Sequence, residues 1–298
     1  MTVDSGQMTV DSGQSPQPTT IGGQEFVWGS RTYVMGIVNV TPDSFSGDGL
    51  AHDVAAAVEQ AVRMCREGAD IIDVGGESSR PGFEPISAEE EIRRTVPVIE
   101  RLVREVDAPV SIDTCKAEVA RAALAAGAHM VNDVHGFRRD PEVAAVAAEF
   151  GVPAVAMHNQ RGRSASGGRD VIGDIAAGLL ESLRIAGERG LPRERVIVDP
   201  GFNFGWTEEQ ALEMLRRLGE LRTLGRPILV GTSRKSTIGA VLGLPVEERL
   251  EGTAATVALA IVGGADIVRV HDVKEMARVA RMADAVVRGW TRPPEESA

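Results

Sequence analysis

Residues 35–45 read MGIVNVTPDSF, and the fold turns on how this stretch is parsed. Val34 to Val38 is an apolar run and predicts a buried strand; it ends in Asn39, and a Thr-Pro-Asp-Ser turn follows at once. A strand that runs straight from a polar amide into a Pro-containing loop is placing a ligand-binding group rather than finishing a core.

The same pattern recurs downstream. Short apolar runs at 34–39, 70–75, 109–113, 129–133, 152–157, 195–199, 227–231 and 266–270 predict strands. Amphipathic stretches rich in Ala, Glu and Arg predict helices near 53–67, 88–105, 116–126, 141–149, 173–189, 207–219, 236–263 (broken at Gly243 to Pro245) and 273–288. Eight strand–helix units in about 250 residues favour an α/β chain folded as a parallel (β/α)8, or TIM, barrel over a doubly wound sheet. Gly-Ala-Asp or Gly-Ala-His precedes three of the strands (68–70, 127–129, 264–266), where the glycine suits a left-handed helix C-cap. Upstream, Phe26 to Tyr33 reads as a short hairpin turning at Gly29-Ser30. Residues 1–7, MTVDSGQ, recur as 8–14 and continue into a polar, Pro-containing stretch, so residues 1–23 are expected to be a disordered tail. Residues 24–290 then form one domain, followed by a C-terminal tail over 291–298.

A barrel of this kind carries its site where the strands end, at the C-terminal face. The polar residues at or just past those ends are Asn39; Asp73 and Glu77; Asp113; Asn132 and Asp133; His158; Asp199; Ser233 and Lys235; Arg269 and His271. Every strand delivers at least one, while the strand interiors are almost wholly apolar. That convergence marks an enzyme or a small-ligand binder.

Three clusters emerge. GTSRKS (231–236) and RVHD (269–272) follow the last two strands, the usual phosphate position in such barrels, and ESSRPG (77–82) adds Ser79 and Arg80. Arg269 can fork onto a phosphate, His271 can donate or protonate, and Ser236 can open a helix whose N-terminus attracts anions. Together they suit a doubly anionic group such as pyrophosphate; the competing reading is surface charge. Asn39 supplies a neutral oxygen near those phosphates, which suits Mg²⁺, or it bonds its own turn. Asp113, Asn132, Asp199 and Lys235 form the third cluster. A carboxylate's two oxygens match a ring N–H beside an exocyclic amine, so these groups imply either a polar heterocycle or a salt-bridge network.

Composition narrows the partners. The 298 residues are 43% hydrophobic and carry a net charge of −11, which argues against nucleic acid or an anionic membrane surface. No apolar run is long enough to span a bilayer and no signal peptide is evident, so a cytoplasmic location is expected. Cys65 and Cys115 lack metal-ligand companions and read as unpaired core thiols. The five histidines are scattered, and nothing resembles a closed zinc site.

In order, MGIVNVTPDSFS, GADIIDVGGESSRPG, VSIDT, VNDV, DPGF, GTSRKS and RVHDV resemble the motifs of the dihydropteroate synthases, a family of pterin-binding TIM barrels, over residues 24–290. The resemblance implies condensation of a dihydropterin pyrophosphate with p-aminobenzoate in folate synthesis. It places Asn39 on Mg²⁺ and, with Ser79, Arg80, Arg269 and His271, on pyrophosphate. Asp113, Asn132, Met157, Asp199, Phe204, Gly231 and Lys235 would hold the pterin; Ser79, Pro81, Lys235 and Ser236 would line the p-aminobenzoate pocket. Asp113, Lys235, Arg269 and His271 would carry catalysis. Barrels of this family are often dimers, and the final amphipathic helices offer an apolar seam, although the same stripes suit core packing.

Departures from the family pattern are local. The first loop reads FSGDG (45–49) where FSDGG is usual, and DPGFNFGW stands for DPGxGFGK, with Asn203 for Gly and Trp206 for Lys. Asn tolerates left-handed backbone, so Asn203 is expected to be accommodated. The implied chemistry is dissociative: pyrophosphate leaves, the Asp113 carboxylate stabilises a methylene cation conjugated with the ring, and the arylamine attacks. A non-catalytic pterin-binding paralogue is the alternative from another class, favoured by the altered first loop. A pterin-dependent methyltransferase would not need the anion sites, and a sugar-phosphate lyase would want a Schiff-base lysine that the strands lack. Sulfonamides mimic p-aminobenzoate, so inhibition is the family expectation.

Overall fold

The computed structural model describes residues 16–40, 50–78, 84–162 and 170–291. Two short strands, Thr19–Ile21 (β1) and Gln24–Phe26 (β2), pair antiparallel and precede the barrel. Eight parallel strands follow: Tyr33–Asn39 (β3), Ile71–Gly75 (β4), Val110–Asp113 (β5), Met130–Asp133 (β6), Ala154–Met157 (β7), Val196–Asp199 (β8), Leu229–Val230 (β9) and Ile267–Val270 (β10). Their order is β8-β7-β6-β5-β4-β3-β10-β9. A parallel bridge from Val198 to Ile228, with the Val198 N–H donating to the Pro227 carbonyl at 2.9 Å, joins the two ends of that order and closes the ring. The seventh barrel strand is shorter than the predicted 227–231, as Pro227 has no N–H for the ladder.

Helices cover the outside: Leu50–Glu67 (α1), Ala88–Glu105 (α2), Ala117–Ala125 (α3), Glu142–Phe150 (α4), Val171–Glu188 (α5), Glu208–Arg216 (α6), Ser236–Leu242 (α7), Leu250–Val262 (α8) and Val273–Val287 (α9). Gly243, at φ 68°, caps α7, so the predicted break in the seventh helix stands; it widens to the 3-10 turn at Val246–Glu248. The predicted sixth helix similarly ends early and continues as a 3-10 stretch over Leu218–Leu224.

The hairpin lies earlier than predicted. It turns at Gly22-Gly23, not Gly29-Ser30, and Tyr33 already belongs to the barrel. Residues 19–23 are therefore structured rather than part of a disordered tail, because Ile21, Phe26 and Trp28 have a surface to bury against. They pack with Tyr33 on the inward residues Met35, Ile71, Met130, Val155, Ile197, Leu229 and Ile267, plugging the N-terminal end of the barrel. Trp28 satisfies its indole N–H on Thr19 Oγ1 at 2.9 Å. The repeated MTVDSGQ segments lie outside the described residues.

Those inward residues set the parity of each strand. Side chains alternate, so the position two residues beyond each plug contact points into the barrel one layer higher. Counting upward gives Ile37 and Asn39 on β3, Asp73 on β4, Asn132 on β6, Met157 on β7, Asp199 on β8, Gly231 after β9, and Arg269 then His271 on or after β10. Apart from buried Ser111 on β5, the lower layer is apolar; most of the polar side chains stand in the layers above it.

Candidate active site

Parity separates site residues from framework. Asp113, on the strand whose outward residues are Val110 and Ile112, is inward. Asp133 is outward: its two oxygens accept the backbone N–H groups of His135 (2.7 Å) and Phe137 (2.8 Å) and shape the turn after β6. It belongs to the framework.

A buried network occupies one side of the mouth. Arg269 donates through Nε to Asp73 Oδ2 at 2.6 Å and through Nη2 to Asp113 Oδ2 at 2.7 Å. Asn132 Nδ2 donates to the same Asp73 oxygen at 2.9 Å. Burial raises the Asp113 carboxyl above its ordinary range; the Arg269 charge opposes this, and Asp73, Glu91 and Asp133 add to it. Of the two readings open for the polar cluster, ligand or network, this half is a network, and Arg269 is its centre as well as a candidate anion group.

Across the mouth the charges stand apart. Asp199 Oδ1 accepts the Gly201 N–H at 2.7 Å, and burial lifts its carboxyl to about 6. Lys235 forms no ion pair with a described residue; its ammonium lies 4.3 Å from the centre of the Phe204 ring. Burial, and then the Arg269 charge, bring it down to about 8. Phe204 is fixed from behind: its carbonyl accepts the Gln160 N–H at 2.9 Å, and the Arg161 guanidinium sits 4.6 Å from its ring. The loop after β8 lies so close to the loop after β7 that a Cβ on Gly201 would fall 1.8 Å from the His158 carbonyl oxygen, and Gly201 takes φ 75°. Met157 is buried at the end of β7, beside Gly201.

The departures in DPGFNFGW resolve physically. Asn203 does adopt the left-handed region, φ 67°, and its Nδ2 donates to Ser236 Oγ at 2.7 Å. Trp206 faces away from the site; it packs with Val171, Ile172 and Phe202 and stacks 5.7 Å from the His158 ring. A large apolar side chain there belongs to the core beneath the loop.

On the anion side, Ser233 Oγ accepts the His271 backbone N–H at 3.2 Å and shares a hydrogen bond with His271 Nδ1 at 3.0 Å. Burial, with Arg269 next, pushes the imidazole down to about 3, so in the free site His271 is neutral. The expected choice between donating and protonating thereby narrows: a neutral imidazole carries one N–H, and Nδ1 already shares its hydrogen bond with the Ser233 hydroxyl, which leaves Nε2 as the ring nitrogen open to an anion. Arg234 is not an anion group. It takes φ 58° and pairs with Asp272, tying the loops after β9 and β10 together. Gly231 lies beside Arg269, where a Cβ would make ordinary contact at 3.7 Å. Asn39 ends β3 with no side-chain partner among the described residues. No group of three His, Cys, Asp or Glu side chains that could hold a metal occurs among the described residues.

Ser79, Arg80, Pro81 and the FSGDG loop lie outside the described residues. Glu77, two residues before Ser79 in the sequence, turns to the framework: its Oε2 accepts the Ile86 N–H at 2.9 Å and the Lys116 ammonium at 2.7 Å, and buried Glu91 shares that ammonium. Sequence reasoning underrated Asp73, which lies in the middle of β4, and missed Arg161. A lone carboxylate inside Ile-Ile-Asp-Val was the signal for Asp73; Arg161 carries none, since its place depends on two loops meeting.

An eight-stranded parallel barrel with a polar mouth of carboxylates, an amide, an ammonium and a guanidinium matches a known class. The profile of the family described as "Pterin binding enzyme" matches residues 35–271, and the chain belongs to that family. It is 51% identical over 269 residues to the dihydropteroate synthase of Clostridium beijerinckii, covering 90% of this chain and 99% of that one. Among solved structures it is similar to dihydropteroate synthase of Clostridium difficile in the presence of pteroic acid (TM-score 0.85, 49% identity, 88% of this chain and 99% of that one). It is also similar to that of Xanthomonas albilineans with 4-aminobenzoic acid (TM-score 0.85, 42% identity, 92% and 98%).

Proposed function

We propose that this chain is a dihydropteroate synthase, joining 6-hydroxymethyl-7,8-dihydropterin pyrophosphate to p-aminobenzoate with release of pyrophosphate. The observation that carries the reading is the inward layer of Asp113, Asn132, Asp199, Lys235, Arg269 and His271, set in a barrel that shares half its residues with such an enzyme. Asp113, Asn132 and Asp199 offer acceptors to the pterin's ring N–H and amine, while Met157, Phe204 and Gly231 bound the ring. Arg269 and the neutral His271 N–H meet the pyrophosphate, together with Asn39, Ser79 and Arg80. Ser79, Pro81, Lys235 and Ser236 line the arylamine pocket.

The CH₂–O bond breaks with its electron pair on pyrophosphate. Arg269 and His271 stabilise that charge, and the Asp113 carboxylate faces the cation conjugated with the ring. The arylamine nitrogen then closes on the methylene carbon and gives its proton to pyrophosphate or water. Lys235, over Phe204, screens one wall of the pocket. Asn39, a neutral oxygen donor at the end of β3 with no side-chain partner among the described residues, would hold Mg²⁺, which would neutralise charge on the leaving group.

The enzyme is expected to act in the cytoplasm and as a homodimer. Leu259 and Val262 on α8 and Met282 and Val286 on the adjoining α9 are each more than half exposed, and a second copy would cover them. No described helix is long and apolar enough to cross a membrane. The test is dihydropteroate and pyrophosphate formation by the purified protein with Mg²⁺, with and without p-aminobenzoate, and its inhibition by a sulfonamide. Turnover that requires p-aminobenzoate supports the synthase; pterin binding without turnover makes the chain a binding paralogue.

A further inference from the structure

Asp73 is fully buried, yet among the described residues only one of its oxygens is used. Oδ2 accepts both Arg269 Nε and Asn132 Nδ2, and Oδ1 has no hydrogen-bond partner there. A buried carboxylate with an idle oxygen is a costly way to fill space in a barrel where Ile71 and Ile72 precede it. Its neighbours show what it does. The two ends of an Asn amide have nearly the same shape, so the groups around them decide which end points where. A carboxylate paired with Arg269 only accepts, so it draws the Asn132 NH₂ toward itself. The Asn132 carbonyl oxygen, which has no partner among the described residues, is then the end offered to a ligand. The same carboxylate and Asp113 grip Nε and Nη2 of Arg269 from adjacent strands, which sets the guanidinium plane and leaves Nη1 without a described partner.

We propose that Asp73 is a positioning residue of the synthase site: it turns Asn132 so that an acceptor meets the pterin's N–H and amine groups, and it orients Arg269 so that a free N–H edge meets the leaving group. This rests on the pterin occupying the Asn132 side of the mouth. It explains a charge that touches no ligand, and it adds specificity, because a ring with an acceptor at that position would face a carbonyl that cannot turn round.

The experiment compares wild type, Asp73→Asn, Asn132→Ala and the double variant. Steady-state constants for both substrates are measured, with binding of 6-hydroxymethylpterin by calorimetry and folding by circular dichroism. Asp73→Asn keeps the shape but removes the charge and adds a donor, so Asn132 is free to flip. For a folded Asp73→Asn protein, kcat/KM for the pterin substrate is expected to fall about 30- to 300-fold, with KM for p-aminobenzoate within about threefold of wild type. The double variant is expected to bind 6-hydroxymethylpterin no more weakly than Asn132→Ala alone, the signature of one residue acting through the other. Wild-type kcat/KM in folded Asp73→Asn, or losses in binding that multiply in the double variant, would overturn the assignment. Should Asp73→Asn fail to fold, Asp73→Ser takes its place under the same criteria. If wild type itself forms no dihydropteroate, the synthase reading falls, and the calorimetric comparison alone decides whether Asp73 positions Asn132.

Discussion

The two halves of the barrel mouth handle charge in opposite ways. Along β4, β5, β6 and β10, Asp73, Asp113, Asn132 and Arg269 bond to one another, and their geometry is set before a ligand arrives. Around β8 and β9, Asp199 and Lys235 are held apart, one against a backbone N–H and the other against a ring. Burial raises the Asp199 carboxyl and lowers the Lys235 amine, and neither has an ion pair with a described residue to hold its charge. A network that satisfies itself fixes the direction of its groups and resists rearrangement. Groups buried without partners lower stability and gain when a ligand supplies what they lack. The first half orients; the second half waits for the ligand.

The largest effect expected from this contrast is on chemistry. Asp113→Asn should lower kcat by about 10³ while 6-hydroxymethylpterin affinity falls less than about tenfold, because charge stabilisation is needed mainly in the transition state. Steady-state kinetics beside calorimetry would check this, and equal losses in both would put Asp113 in binding alone. Stability should split the other way. Arg269→Met leaves Asp73 and Asp113 buried without their counter-charge and should cost about 3–5 kcal/mol in urea unfolding. Lys235→Met should leave the urea midpoint unchanged or raised, while turnover with p-aminobenzoate falls at least about tenfold. If both variants lost stability alike, the two halves would not differ.

pH sharpens the same point. The folded pKa of Asp199, about 6, exceeds its ordinary 3.8, so the native state holds that proton more tightly. The resulting stability is full below about pH 4 and is lost as pH rises through 6. For Lys235 the folded value is about 8 against an ordinary 10.5, so the unfolded state holds the proton more tightly and stability is regained as pH rises from 8 toward 10. Melting temperatures across these ranges should show the first slope reduced in Asp199→Asn, the raised Asp113 and Asp133 carboxyls keeping the remainder, and the second reduced in Lys235→Met. The smallest effect belongs to Asn203→Gly. Glycine accepts φ 67°, so only the hydrogen bond to Ser236 is lost, and KM for p-aminobenzoate should rise about two- to fivefold with kcat unchanged.

Much of this was legible in the sequence because strand parity and strand ends are sequence properties. Asn39, Asp113, Asn132, Asp199, Arg269 and His271 could be placed at one face without coordinates, and so could the eight strand–helix units. The rest depended on contacts between distant segments. Ile21 looks like a tail residue, and Trp28 like part of a free hairpin, until the barrel floor is there to bury them. Trp206 stands at a position where the family pattern has Lys, and only its stacking on His158 shows it to be core. Arg234 and Arg269 look alike as strand-end arginines; one is a strut to Asp272 and the other the hub of the network, and no local pattern separates them.

The most direct test of the mouth as a device for stabilising a methylene cation is the secondary isotope effect on kcat/KM when the two methylene hydrogens of the dihydropterin pyrophosphate are replaced by deuterium. A normal effect, clearly above unity, is expected if the C–O bond breaks ahead of arylamine attack. A value at or below unity would mean that bond making keeps pace with bond breaking, and that the Asp113 network serves to bind the pterin rather than to stabilise a cation.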